Sequence, residues 1–180
     1  MKNHQYQEIQ RKVASLLRQS NCTEAPVNVE EIASSLNIEL RKAPAEDDLS
    51  GFLLKRPDGT AVVGVNARHH PNRQRFTIGH EIGHYLLHQY DEVHVDKFVI
   101  KLRDGNSSTG ENEEEVEANR FAAELLMPRQ FIERDLFKYA VDGQLDDRKL
   151  AQFAKQYEVS VQAMTNRLVS LGFIYDGNFQ

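Results

Sequence analysis

The segment Arg75–His88, R-F-T-I-G-H-E-I-G-H-Y-L-L-H, constrains the fold more than any other part of this chain. It reads H-E-x-x-H at His80, Glu81 and His84. On a helix, residues four apart lie one above the other, so both imidazoles can reach one Zn²⁺, while Glu81 is turned by about 100° and can approach the metal's open side. The plain alternative is a helix that carries two histidines on one face by chance. Its flanks favour the metal reading: Ile78, Ile82, Tyr85, Leu86 and Leu87 form an apolar band, and Gly79 and Gly83 leave room for another backbone. Two glycines weaken an isolated helix, so this one must be held by packing.

A catalytic zinc takes a third protein ligand and leaves one position for water. The stretch 113–128, E-E-E-V-E-A-N-R-F-A-A-E-L-L-M-P, predicts a second helix, rich in Glu, Ala and Leu and stopped near Pro128. Ala118, Ala122 and Leu125 mark a small, apolar face, and helical spacing puts Glu115 on it. Glu115 is therefore the expected third ligand. Asn119, four residues on, is placed to accept a hydrogen bond from a metal-bound imidazole. Ala118 and Ala122 would let this helix approach Gly79 and Gly83 closely. Glu113, Glu114 and Glu117 read instead as a solvated helix start whose charges suit the N-terminal dipole.

Together, R-F-T-I-G-H-E-I-G-H-Y-L-L-H and E-V-E-A-N-R-F-A-A-E-L-L-M-P resemble the two signature segments of the ImmA/IrrE family of bacterial zinc metallopeptidases. The resemblance extends upstream to Val27–Ala33, to Gly51–Leu54 and Val62–Asn66, and into the tail. It implies one Zn²⁺ per chain held by His80, His84 and Glu115, with Glu81 as catalytic base. Glu117 stands as the alternative third ligand, since both glutamates closely precede the A-N-x-F-A segment. The implied fold is α+β: a gluzincin-like core in which a small antiparallel sheet accompanies the H-E-x-x-H helix and the glutamate-bearing helix. The implied substrate is a protein, a helix-turn-helix transcriptional repressor whose cleavage releases stress-response or mobile-element genes.

Composition suits a single ordinary core: 180 residues, 40% hydrophobic and 27% charged. The expected organisation is a metallopeptidase core over 1–140 and a helical subdomain over 141–180 packed on it. The start Met1–Glu8 has no apolar h-region and no segment approaches a membrane-spanning length, so a soluble, cytoplasmic protein is expected. One cysteine, Cys22, excludes an internal disulfide and reads as a small packing residue. Apolar periodicity predicts helices over Glu8–Gln19 and Val29–Leu36. Short strands are expected at Ile38–Leu40, Gly51–Lys55 and Ala61–Val65, the last two forming a hairpin about the turn Arg56-Pro57-Asp58-Gly59. An edge strand of this sheet is a candidate to pair with an extended substrate. Asp91–Leu102 reads as an ordered segment near the cleft, and Asp104–Gly110 as a mobile loop.

The tail Leu150–Leu168 resembles a helix-turn-helix with Ser160 capping its second helix. A DNA reader should be basic there. Arg148, Lys149, Lys155 and Arg167 are instead matched by Asp146, Asp147, Glu158 and Asp176, and the chain carries a net charge of −5. Direct DNA binding is therefore disfavoured against packing on the core or holding a partner protein. His88, one turn past His84, is expected to pack or to support a ligand, because one helix cannot easily offer three imidazoles to one ion. His69 and His70 have no motif behind them. Candidates to stabilise an oxyanion are His94, Tyr139, Arg75 and Arg129. The competing functions are a non-proteolytic regulator on the same zinc fold, binding a partner or DNA, and a component of a toxin–antitoxin pair.

Overall fold

The turn Arg56–Gly59 folds as its residues dictate. Gly59 takes φ +84°, Asp58 Oδ1 accepts from Thr60 N at 2.9 Å, and Arg56 N donates to Thr60 O at 2.8 Å, reversing the chain between two strands. A computed structural model describes residues 2–88, 93–96, 110–139 and 145–174. Its elements are α1 (Lys2–Gln19), α2 (Val29–Ser35), β1 (Ile38–Ala43), β2 (Gly51–Lys55), β3 (Ala61–Asn66), α3 (Pro71–Leu87), β4 (Val93–Asp96), α4 (Gly110–Leu126), α5 (Arg129–Tyr139), α6 (Asp147–Gln156) and α7 (Val161–Ser170). The class is α+β, as expected.

The sheet order is β1-β3-β2-β4. The β2–β3 hairpin is antiparallel as predicted, and β4 adds antiparallel to β2. The expectation of a wholly antiparallel sheet is corrected by β1, which pairs parallel to β3, Ile38 opposite Ala61 through Ala43 opposite Asn66. The cause is a crossover loop anchored by one buried amide. Asn66 accepts from Ala45 N at 3.1 Å and donates to Glu46 O and Leu49 O, each at 2.9 Å, so the chain leaving β1 is carried across before β2 begins. An amide that satisfies loop backbone in this way removes the desolvation penalty of burying it.

Every residue of β3 is buried, as befits a strand with neighbours on both edges and helix α3 on its face. One apolar core joins Ile9, Val13, Leu16 and Leu17 of α1 to Leu53, Val63 and Val65 of the sheet, Ile78 and Ile82 of α3, and Phe121 and Leu125 of α4. Leu150, Phe153, Met164 and Leu168 of α6 and α7 belong to the same core. The helices run longer than their patterns suggested: α1 begins at Lys2 rather than Glu8, and α4 at Gly110. Within Asp91–Leu102 only β4 is described, and 104–109 lie outside the described residues, as do 140–144, where the expected subdomain boundary falls.

Two buried polar knots tie the C-terminal helices down. Asp135 on α5 accepts from Arg134 Nε (2.8 Å), Lys138 Nζ (3.0 Å), Gln156 Nε2 (3.1 Å) and Tyr157 Oη (2.9 Å). Arg167 on α7 pairs with Glu124 of α4 and donates to Met127 O at 3.0 Å and Tyr6 Oη at 3.3 Å. Ser160 caps α7 as predicted, its Oγ accepting from Ala163 N at 3.1 Å.

The Arg134 guanidinium, with Lys138 and Tyr157 beside it, outweighs burial and holds the Asp135 carboxyl well below the usual carboxylate range. A depressed native pKa makes the contribution to stability complete at neutral pH and lost as pH falls below the ordinary aspartate value of 3.8 and then through the native one. Asp135→Asn is expected to cost about 1–3 kcal/mol at pH 7. Urea unfolding at pH 7 and pH 3 should show this gap narrowing in acid.

Candidate metal centre

Helix α3 begins where local chemistry sets it. His70 is its N-cap, with Nδ1 accepting from Asn72 N at 3.2 Å, and Pro71 occupies the first turn, where no amide hydrogen is needed. From there the helix runs into the core, and Thr77 through His84 are all buried. Burying two imidazoles needs compensation, and α4 supplies it through Asn119 and Glu115. A Cβ on Gly79 would lie 3.4 Å from Ala122 Cα, and one on Gly83 would lie 3.1 Å from both Ala118 Cα and Phe121 Cβ. The predicted close approach of these helices is therefore present.

That approach brings Glu115 onto the histidines. His80 Nε2 and His84 Nε2 are 2.9 Å apart, and the Glu115 carboxylate oxygens lie 3.3 Å from the first and 3.1 Å from the second. Among the described residues, His80, His84 and Glu115 are the one cluster of three such donors able to hold a metal ion. Four donors placed tetrahedrally at bonds of ~2.0–2.2 Å would sit about 3.3–3.6 Å apart, so the set fits one zinc with small adjustment. Its chemistry, two imidazoles and one carboxylate, is that of a catalytic rather than a structural zinc site.

Glu81 is fully buried on the same helix, and its Oε1 lies 3.5 Å from where a Gly51 Cβ would be. Gly51, first residue of β2, is required by the close approach of α3 and β3, since a Cβ there would lie 2.5 Å from Thr77 Cγ2 and 2.7 Å from Gly64 O, a role that the hairpin pattern did not reveal. Asn119 Oδ1 is 3.1 Å from His80 Nδ1, in the supporting position expected of it. His88, at the C-cap of α3, places Nδ1 3.1 Å from His84 Nδ1, and its Nε2 lies 3.1 Å from Glu117 Oε2.

Glu117 is not in the three-donor cluster, which contains Glu115. Nor is it a merely solvated helix-start charge, because it contacts His88 and accepts from Gln5 Nε2 at 2.8 Å. Three oxyanion candidates are engaged away from the cluster: Arg75 with Val27 O and Glu158, Arg129 with Glu133, and Tyr139 with Gln156. His94 lies opposite Leu53 in the β4–β2 register, and its side chain is outside the described residues. His69 and His70 serve the loop and the helix cap, His69 Nε2 lying 3.2 Å from Asp47 O.

A family model described as the IrrE N-terminal-like domain matches residues 33–169. This chain belongs to that family. The Radiation response metalloprotease IrrE of Deinococcus radiodurans is 36% identical over 105 residues, covering 57% of this chain and 29% of the relative. That of Deinococcus deserti is 36% identical over 102 residues, covering 55% and 32%. The chain thus matches less than a third of the length of these relatives. As an IrrE N-terminal-like domain it is related to metalloproteases by name, and its donor cluster gives that relation a physical site.

Since Gly83 faces backbone rather than yielding side-chain ends, Gly83→Val should force α3 and α4 apart. A cost of roughly 1–3 kcal/mol is expected from overpacking, read by thermal unfolding of the metal-free protein. Zinc should then raise its melting temperature less than it raises that of wild type, because the donors come from both helices.

Proposed function

We propose that this chain is a zinc-dependent endopeptidase with His80, His84 and Glu115 as metal ligands and Glu81 as general base. The observation carrying the proposal is the cluster of buried His80 and His84 with half-buried Glu115, together with the buried Glu81 carboxylate next to His80 in sequence on α3. Zinc, when bound, would polarise the scissile carbonyl and acidify water at neutral pH. Glu81 would accept the proton of the attacking water and return it to the leaving amine nitrogen. The Asn119 carbonyl fixes the His80 ring.

The sheet suggests how a polypeptide would be held. Among the described residues β4 is the edge strand beside β2, and Asp96 pairs with Gly51, whose Cα side faces the Glu81 carboxylate. An extended substrate segment adding to this edge would run past the catalytic base. The proposed substrate is a protein, and from the family resemblance a helix-turn-helix transcriptional repressor in the cytoplasm. No helix among the described residues is long and apolar enough to cross a membrane.

We further assign residues 1–140 to the catalytic core and 141–180 to a helical subdomain that buttresses it rather than reading DNA. Arg167, the one basic residue of α7, is buried against Glu124, and the outer positions Val161, Gln162, Asn166 and Ser170 carry no charge. Phosphate attraction needs exposed cations, and this helix offers none.

Elemental analysis should find about one zinc per wild-type chain and none retained by Glu115→Ala after chelator wash. Glu81→Gln should keep zinc and lose about 10²–10⁴-fold in cleavage rate against a repressor substrate. Undiminished cleavage by zinc-loaded Glu81→Gln would refute the assigned base.

A further inference from the structure

His88 and Glu117 lie outside the proposed ligand set, yet both are drawn in beside it. His88 is the residue at which α3 ends, with φ −121° and ψ 151°, so its ring turns back along the helix. Its backbone is gripped from two sides: its N–H donates to His84 O at 3.1 Å, and its carbonyl accepts from Lys55 Nζ at 3.0 Å. Lys55 is itself settled 5.4 Å over the Tyr85 ring. The imidazole is 4% exposed and the Glu117 side chain 23%, so the pair sits under the protein surface.

With Glu117 taken as a carboxylate and His88 as a neutral imidazole, the hydrogens along this row run in one direction. An ionised carboxylate only accepts, so the hydrogen at the 3.1 Å contact between His88 Nε2 and Glu117 Oε2 belongs to His88. A neutral His88 protonated on Nε2 has a bare Nδ1, which can only accept. The 3.1 Å contact between His88 Nδ1 and His84 Nδ1 then requires the hydrogen on His84 Nδ1. His84 Nε2 is left with its lone pair, and that is the atom in the three-donor cluster.

We infer that His88 and Glu117 are positioning residues for zinc: they hold the His84 ring in the orientation and tautomer that present its Nε2 lone pair to the metal. This inference rests on the proposed metal site and deepens it. Asn119 does the corresponding work at His80 with a neutral amide, whereas His84 is served by a relay ending in a charge. Gln5 closes the row by donating to Glu117 Oε1 at 2.8 Å. Gln5 lies on α1, so the first helix joins in supporting the site.

The test is zinc affinity of the full chain, by competition with a chromophoric zinc chelator, together with the imidazole ¹⁵N spectrum of the zinc-loaded protein. His88→Phe preserves ring volume but removes both nitrogens, and Glu117→Leu removes the terminal acceptor. Each is expected to fold with the wild-type circular dichroism spectrum and to bind zinc about 10–100-fold more weakly. His88→Gln, whose amide can accept from His84 and donate to Glu117, should recover most of that loss. The wild-type spectrum should show His84 protonated on Nδ1. If His88→Phe fails to fold, Glu117→Leu still decides. Wild-type affinity in Glu117→Leu would overturn the relay while leaving the three-ligand site intact, whereas His84 carrying its proton on Nε2 in the zinc-loaded protein would exclude that atom as a ligand and overturn site and relay together. Failure of wild type itself to bind zinc, or unchanged binding by Glu115→Ala, would instead overturn the metal site and the relay with it.

Discussion

The close seating of α3 on α4 is the constraint on which the candidate site depends. The histidines come from one helix and the carboxylate from the other, so a shift of one ångström between the axes would move Glu115 out of reach of the donor pair. Gly79 and Gly83 facing Ala122 and Ala118 hold that spacing at nearly backbone contact. Small residues do not bury much apolar area, and the helix pair is instead clamped by the larger side chains around it, Ile78, Ile82, Phe121 and Leu125. The glycines weaken α3 as an isolated helix and are tolerated because tertiary packing decides its stability.

Much of this was legible before any coordinates. H-E-x-x-H works through helical geometry alone, and the same period applied to Ala118, Ala122 and Leu125 singled out Glu115 and Asn119 correctly as residues facing α3. Local signals also gave the hairpin, through Pro57 and Gly59, and the Ser160 cap. What escaped was set by partners distant in sequence. The parallel seating of β1 depends on Asn66 reaching 17 to 21 residues back into the crossover loop, and no strand pattern announces such an anchor. Glu117 resembled its solvated neighbours because its partners come from the far end of α3 and from α1, the latter 112 residues away.

Electrostatics divides the molecule in two. Around the proposed site, Glu115 lies against His80 and His84, and Glu117 against His88. In the C-terminal half, buried ions serve cohesion: Asp135 gathers four side chains, and Glu124 takes the guanidinium of Arg167. A buried ion pair of this kind contributes little net stability compared with an apolar replacement, but removing one partner is costly, so it specifies one arrangement of the helices more than it strengthens it.

The Glu124 knot has a kinetic consequence. Tyr6, Glu124 and Arg167 meet although Tyr6 and Arg167 are 161 positions apart, and Glu124 stands nine positions after Glu115 on the same helix. Bringing such distant segments together costs loop-closure entropy that is recovered only when all three have docked. The helix bearing the carboxylate therefore gains its full set of neighbours only when both α1 and α7 have docked.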